Sequence, residues 1–189
     1  IKIEPPEAVA NRALYGPCHE GESFYHLAFN RSKKSVTLDL RTRMGYEAFR
    51  DLVCISDVVW SNLRAESMKN IRADYNMVKK INPRIISCPI TGYGLSGPYR
   101  DRPSFDIGGL AMGGVMSLTG EPGGAPLKPG APIGDIMTGT LGALGVCSAL
   151  LQKERTGKGQ LVDVSLLDSS MATLVYEFSY YFCSGIVPE

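Results

Sequence analysis

The sequence is poor in the residues that build metal and redox centres. His19 and His26 are its only histidines, which excludes a His-rich metal site. Cys18, Cys54, Cys88, Cys147 and Cys183 are scattered with no CxxC spacing. That pattern fits buried free thiols in a reducing, cytoplasmic compartment better than a disulfide frame or a zinc site. Charge of either sign is not in excess: the net charge is +1, so neither nucleic acid nor a membrane surface is indicated as a partner. No run of 18 apolar residues passes without a polar break, so no transmembrane span is expected. The GxGxxG fingerprint of dinucleotide binding is missing, as are internal repeats and low-complexity tracts. No initiator Met or signal peptide opens the chain and an aromatic run closes it, which reads as part of a longer protein.

What remains is an ordinary globular composition, 44% apolar and 21% charged over 189 residues. Ile1 to Glu4 alternates like a short strand, stopped by Pro5-Pro6. Residues 7 to 30 have weak periodicity, and Phe24, Tyr25 and Phe29 are expected to pack on the body. Val36, Leu38 and Leu40 alternate with Thr37 and Asp39 as a half-buried strand flanked by Arg31, Lys33, Lys34 and Arg41. That basic cluster is either a solvated strand edge, the commoner case, or an anion site. Helical spacing marks 43–54 and about 65–80, with Asn82-Pro83 closing the second helix. Asp57 to Trp60 and Arg84 to Ile90 read as strands. This alternation with short connections predicts an α/β fold, a parallel sheet covered by helices, with ligands bound past the carboxyl ends of the strands. Ser104 to Met116 reads as a small-residue helix, 160–166 as a final strand, and a last helix starts near Asp168.

The chain is organised around Pro126 to Leu151. A Pro/Gly loop ends at Ile133-Gly134-Asp135, and no charged side chain follows Asp135 until Lys153. A small-residue apolar run of this length predicts a helix buried on most sides, with Asp135 at its mouth. The free N–H groups and dipole there favour an ionised carboxylate. Gly134 removes a side chain beside it, so that a substrate could approach closely. Capping the helix and working as a catalytic carboxylate both remain open for Asp135, capping being the more frequent use. Asp163, mid-strand, and Asp168, another fit to a helix cap, are further acids that spacing cannot rank.

Several blocks in fixed order resemble the class III coenzyme-A transferases, the CaiB/BaiF family. They are N-R-S-K-K-S-V-T-L-D-L, I-N-P-R-I-I-S-C-P-I-T-G-Y-G-L-S-G-P-Y-R-D-R-P, G-G-V-M-S-L-T-G-E-P, I-G-D-I-M-T-G and R-T-G-K-G-Q-L-V-D-V-S-L-L-D. The resemblance runs from Ile1 to about Cys183. It implies a Rossmann-like α/β domain, with residues 1–189 as part of the large CoA-binding, catalytic domain. The first strand and helix and the C-terminal half with the small domain would lie outside the chain, and the intact protein would be an interlocked homodimer. It implies acyl-CoA and a carboxylic acid as substrates and no permanently bound cofactor or metal. Asp135 would be the nucleophile, with Asp163 and Asp168 structural. Leu38, Arg41, Asn62, Leu63 and Ser67 would contact coenzyme A, and Gly134, Phe105 and Asp106 would neighbour the site. The sequence departs from the family pattern at Pro5 and Asn70, where basic residues can occur, and at S-N-L (61–63), usually E-N-F or E-N-Y.

α-Methylacyl-CoA racemases of the same family use a G-H-D motif, since proton transfer at both faces of a carbon needs two bases. The matching stretch here is Ser104-Phe105-Asp106, and Phe105 carries no proton; core packing is its plainer role. A CoA-binding module without activity is the non-enzymatic alternative.

Overall fold

The computed structural model describes residues 1–10, 12 and 16–188, without the side chains of Val9 and Ala10. Asn11, Ala13, Leu14, Tyr15 and Glu189 lie outside the described residues, and with them part of the weakly patterned stretch 7–30. The chain divides into two compact units, Ile1–Ile55 and Ser56–Glu189.

In the first unit β1 (Lys2–Glu4) pairs in parallel with β4 (Ser35–Thr37), Ile3 opposite Val36. The strand expected to run to Leu40 stops sooner. Leu38 N–H still reaches Glu4 O at 3.0 Å, but Lys2 N–H donates to that side, so the next donor due after Glu4 is Pro6, which has no N–H to extend the ladder. Pro6 instead opens α1 (Pro6–Ala10), at the helical position where a missing N–H costs nothing. A tight hairpin joins β2 (Cys18–His19) to β3 (Glu22–Ser23). Glu20 and Gly21 at its tip both have positive φ, 50° and 82°, the twist that suits a two-residue hairpin. Ser23 Oγ then accepts His26 N–H and caps α2 (Phe24–Phe29). Phe24, Tyr25 and Phe29 do not pack on the body as expected: they are 56%, 53% and 59% exposed. Helix α3 (Arg43–Ile55) buries Gly45, Phe49 and Val53, one face at helical spacing.

The second unit holds a parallel sheet in the order β5 (Val58–Ser61), β6 (Ile86–Thr91), β7 (Val164–Ser165). The single helix predicted over 65–80 is two, α4 (Ala65–Asn70) and α5 (Tyr75–Ile81). Arg72 turns left-handed at φ 56° between them, and Asp74 caps the second through Asn76 N–H. The final strand is also shorter than 160–166. Ser87 N–H binds Gln160 O at 3.0 Å, and alternate residues of a strand donate to the same side. Pro89 therefore has no N–H to give where the next bond belongs. Pairing lapses after the Ser87–Leu161 bridge and resumes at Ile90–Val164. Asp163 falls in that gap, outside the strand.

Helix α6 (Asp106–Met112) ends before Met116, because Gly114 turns left-handed at φ 90° into a 3-10 turn (Val115–Leu118). Helix α7 (Ile133–Thr156) is long and apolar enough to cross a membrane by length and composition alone. It is a core helix buried along one stripe, not on most sides. Gly134, Thr138, Gly142, Val146, Ala149 and Lys153 face inward, whereas Ile136, Leu144 and Leu151 are more than half exposed. Small residues in the stripe allow close approach: a Cβ on Gly142 would lie 2.8 Å from the Trp60 ring and 3.1 Å from Ile90. Val146 and Ala149 pack with Ile86 and Cys88, and the buried Lys153 ammonium meets Asp57 Oδ1 at 2.7 Å. Contacts thus pass from strand ends to strand starts along α7, so the helix runs antiparallel to the strands. Its N-terminus stands past their carboxyl ends. Helices α8 (Leu166–Met171) and α9 (Val175–Ser184) complete the unit.

Candidate active site

Asp135 lies in the first turn of α7 and does not cap it; the cap position belongs to Pro132. Its side chain is exposed. Its backbone N–H donates to Asp106 Oδ1 at 3.1 Å, one of the donors a helix start leaves free. Asp106 opens α6 and is 7% exposed. Its Oδ2 is buried without a hydrogen-bond donor, although Lys128 Nζ stands 3.3 Å away. The lysine thus compensates charge at that oxygen without hydrogen-bond geometry; its ammonium donates to Pro129 O at 3.1 Å.

The sequence expectation of a carboxylate favoured in its ionised form at a helix mouth is opposed by the surroundings. Protein crowding one side of Asp135 raises its carboxyl above the ordinary value of 3.8. The negative charge of Asp106 raises it further, and Lys128 acts the other way. A raised carboxyl is a stronger base and a better nucleophile once ionised.

Gly134 does not open a path for a ligand. A Cβ there would sit 3.0 Å from Asp106 Oδ1 and 3.2 Å from Ser170 Oγ, so this glycine lets α7 close onto α6 and α8. Phe105 is 83% exposed, which overturns core packing as its role. Asp163 accepts Leu95 N–H at 3.1 Å and holds the glycine-rich loop after β6. Asp168 is not a cap either. Ser165 is the cap, and the two residues bond reciprocally: Asp168 N–H to Ser165 Oγ at 3.0 Å, Ser165 hydroxyl to Asp168 Oδ2 at 2.7 Å. Of the cysteines, only Cys88 is buried; Cys18, Cys54, Cys147 and Cys183 are exposed. Burial, then the charge of Asp163, pushes the Cys88 thiol up to about 11, which leaves it unreactive.

The expected coenzyme-A residues fall in both units. In the first, Leu38 is half-buried and Arg41 is exposed. Arg41 is bound to Asp39 through Nε (2.8 Å) and Nη2 (3.0 Å), and to Glu7 through Nη2 (2.9 Å). Two carboxylates thus offset its charge and leave Nη1 as its open donor edge. In the second unit Asn62 and Leu63 follow β5 at its carboxyl end, with Leu63 N–H bound to Ser61 Oγ, and Ser67 lies half-buried in α4. Sequence reasoning missed Lys128, Ser169 and Ser170. Lys128 was legible: it is the only basic residue between Arg102 and Lys153. Ser169 and Ser170 are fully buried with unpartnered hydroxyls, and nothing in L-L-D-S-S-M-A marks them. Cavities of about 490 Å³ beside α9 and about 230 Å³ within the Ser117–Pro126 loop do not include Asp135.

The family model of CoA-transferase family III matches residues 1–189. The chain is 37% identical to a succinate–glutarate CoA-transferase of Agrobacterium fabrum, over all of this chain and 49% of that protein. It is 40% identical to the beta subunit of a succinyl-CoA–L-malate CoA-transferase of Chloroflexus aurantiacus, over 89% of this chain and 42% of that protein. A crystal structure of a CaiB/BaiF family protein from Brucella suis superimposes with a TM-score of 0.93 at 40% identity, covering 99% of this chain and 50% of the other. The chain spans about half the length of the curated relatives it matches.

Proposed function

This chain belongs to CoA-transferase family III, and from that premise we propose that the protein moves coenzyme A from an acyl-CoA donor to a carboxylic acid acceptor. Asp135 is the nucleophile. The observation that carries the reading is an accessible carboxylate on the first turn of α7, past the strand ends, held through its backbone by Asp106. The carboxylate attacks the thioester carbonyl, the C–S bond breaks, and a mixed acyl-aspartyl anhydride forms with release of CoA thiolate. The thiolate attacks the aspartyl carbonyl, giving an aspartyl-CoA thioester and the free donor acid. The acceptor carboxylate then attacks that thioester, and the thiolate returns to the acceptor half of the second anhydride. Asp135 is regenerated. Each addition develops an oxyanion that needs nearby N–H donors.

The relatives named for succinate, glutarate and L-malate support a short dicarboxylic acid as substrate class. Leu38, Arg41, Asn62, Leu63 and Ser67 are assigned to coenzyme A by the same family pattern. We extend the proposal to an interlocked homodimer, which rests on the family pattern alone, and to the cytoplasm, for which five free cysteines are the supporting feature.

The test uses intact protein with succinyl-CoA and hydroxylamine. Mass spectrometry should find the hydroxamate on Asp135, and Asp135→Ala should lose transfer by at least about a thousandfold while still binding coenzyme A. Turnover retained in that variant refutes the assignment. Phe105 cannot act as the second base of a racemase, so no α-proton exchange is expected; exchange without acyl transfer would point to a racemase instead.

A further inference from the structure

Taken as a transferase, the site has a charge problem. Asp135 and Asp106 are adjacent acids, and the reaction must bring a carboxylate and then a thiolate up to them. From residue 103 to 152 the sequence supplies Asp106, Glu121 and Asp135 against Lys128 alone. Its ammonium stands 3.3 Å from Asp106 Oδ2, and that carboxylate's other oxygen receives the Asp135 N–H. The geometry around Lys128 is that of an unfinished contact. Asp106 Oδ2 has no hydrogen-bond donor, and the ammonium spends one proton on Pro129 O. An ammonium carries three donors, and the Lys128 side chain is 38% exposed. Donors therefore remain on a side open to solvent. Pro126, Pro129 and Pro132 stiffen the loop that carries it, which lowers the cost of keeping the lysine there.

We propose that Lys128 binds the carboxylate of the acid substrate and holds it beside Asp135. The inference rests on the transferase reading above. It assigns a substrate-binding role to a loop residue outside the coenzyme-A contacts. The attacking oxygen is then presented to the aspartyl-CoA thioester with its charge offset. The same contact holds the leaving donor acid after the first half-reaction. No bond to Lys128 forms or breaks.

The experiment compares wild-type intact protein with Lys128→Gln, Lys128→Arg and Lys128→Ala, using succinyl-CoA and glutarate. Labelling of Asp135 by succinyl-CoA alone is read first, then KM for each substrate. Lys128→Gln and Lys128→Ala should raise KM for the acid about tenfold or more, the worth of one charge-assisted contact. They should leave KM for succinyl-CoA within about twofold and should still be labelled. Lys128→Arg should recover most of the acid KM, which a purely structural lysine would not do selectively for one substrate. Equal rises in both KM values, or an unchanged acid KM in a labelled variant, overturns the role of Lys128 alone. Absence of label in the wild type overturns the transferase reading and this inference with it. Should the glutamine and alanine variants both melt early, acid KM in Lys128→Arg decides: a value beyond about tenfold above wild type overturns the proposal, since charge is conserved there.

Discussion

Asp135 is pulled in two directions by its nearest charges, and this sets a pH dependence. Protein crowding one side of it raises its carboxyl, Asp106 raises it further and Lys128 opposes both. In the proposed mechanism transfer requires the ionised form, so activity should fall as pH drops through a value above the ordinary aspartate 3.8. Asp106→Asn removes one raising charge while keeping an oxygen for the Asp135 N–H. The acid limb of kcat/KM should move to lower pH in that variant, and an unmoved or raised limb in a pH–rate profile counts against the coupling. At this scale the candidate acid was legible only through the family pattern, because spacing alone left Asp135, Asp163 and Asp168 unranked. Its partners were not. Asp106 lies 29 residues away and Ser170 lies 35 away, and nothing local records that they meet at Gly134.

Helix α7 is the element that puts Asp135 where it is. Its register is held at the far end by Lys153, 4% exposed, against Asp57, 73% exposed. The asymmetry makes the two deletions unequal. Asp57→Ala leaves a buried ammonium without its partner and should cost about 1–3 kcal/mol. Lys153→Met leaves a carboxylate that water already reaches, and the apolar stem fills the same space. It should change stability by less than about 1 kcal/mol. Urea denaturation of both variants checks the order, and a larger loss in Lys153→Met would show the carboxylate to be the dependent partner. Periodicity located α3, α7, β5 and β6 within a few residues. It missed the α4–α5 break, since Arg72 in a left-handed conformation carries no sequence mark, although Asp74 was a usable cap signal. It also overextended β7, because the missing donor of Pro89 belongs to the neighbouring strand.

At the scale of the whole molecule, the two units carry separate electrostatic supports. In the first, Glu4 is 4% exposed and receives Arg12 Nε (3.3 Å) and Nη2, the Ser35 hydroxyl (3.1 Å) and the Lys2 ammonium (2.9 Å). Burial alone would raise its carboxyl, but Arg12, Lys2 and Ser35 outweigh it and bring it down from 4.5 to about 2. A depressed carboxyl stabilises the folded unit above its unfolded value, and that contribution is lost as pH falls from about 4.5 through about 2. Acid titration of folding should therefore show a loss in that window that Glu4→Gln removes; the same acid dependence in the variant would assign it elsewhere. The second unit leaves much apolar surface open, including Val175, Tyr176 and Phe182 of α9 at 71%, 75% and 79% exposure. By itself the sequence determined the α/β class, the order of the main elements and the family, and through the family pattern it named Asp135 as the proposed nucleophile. Each of these is written in local periodicity or in contiguous motifs. Only the tertiary structure decided that α7 is buried on one stripe, that Gly134 serves packing, and that Asp106 and Lys128 surround Asp135. Those facts depend on which distant segments meet, and side-chain spacing along the chain carries no record of that.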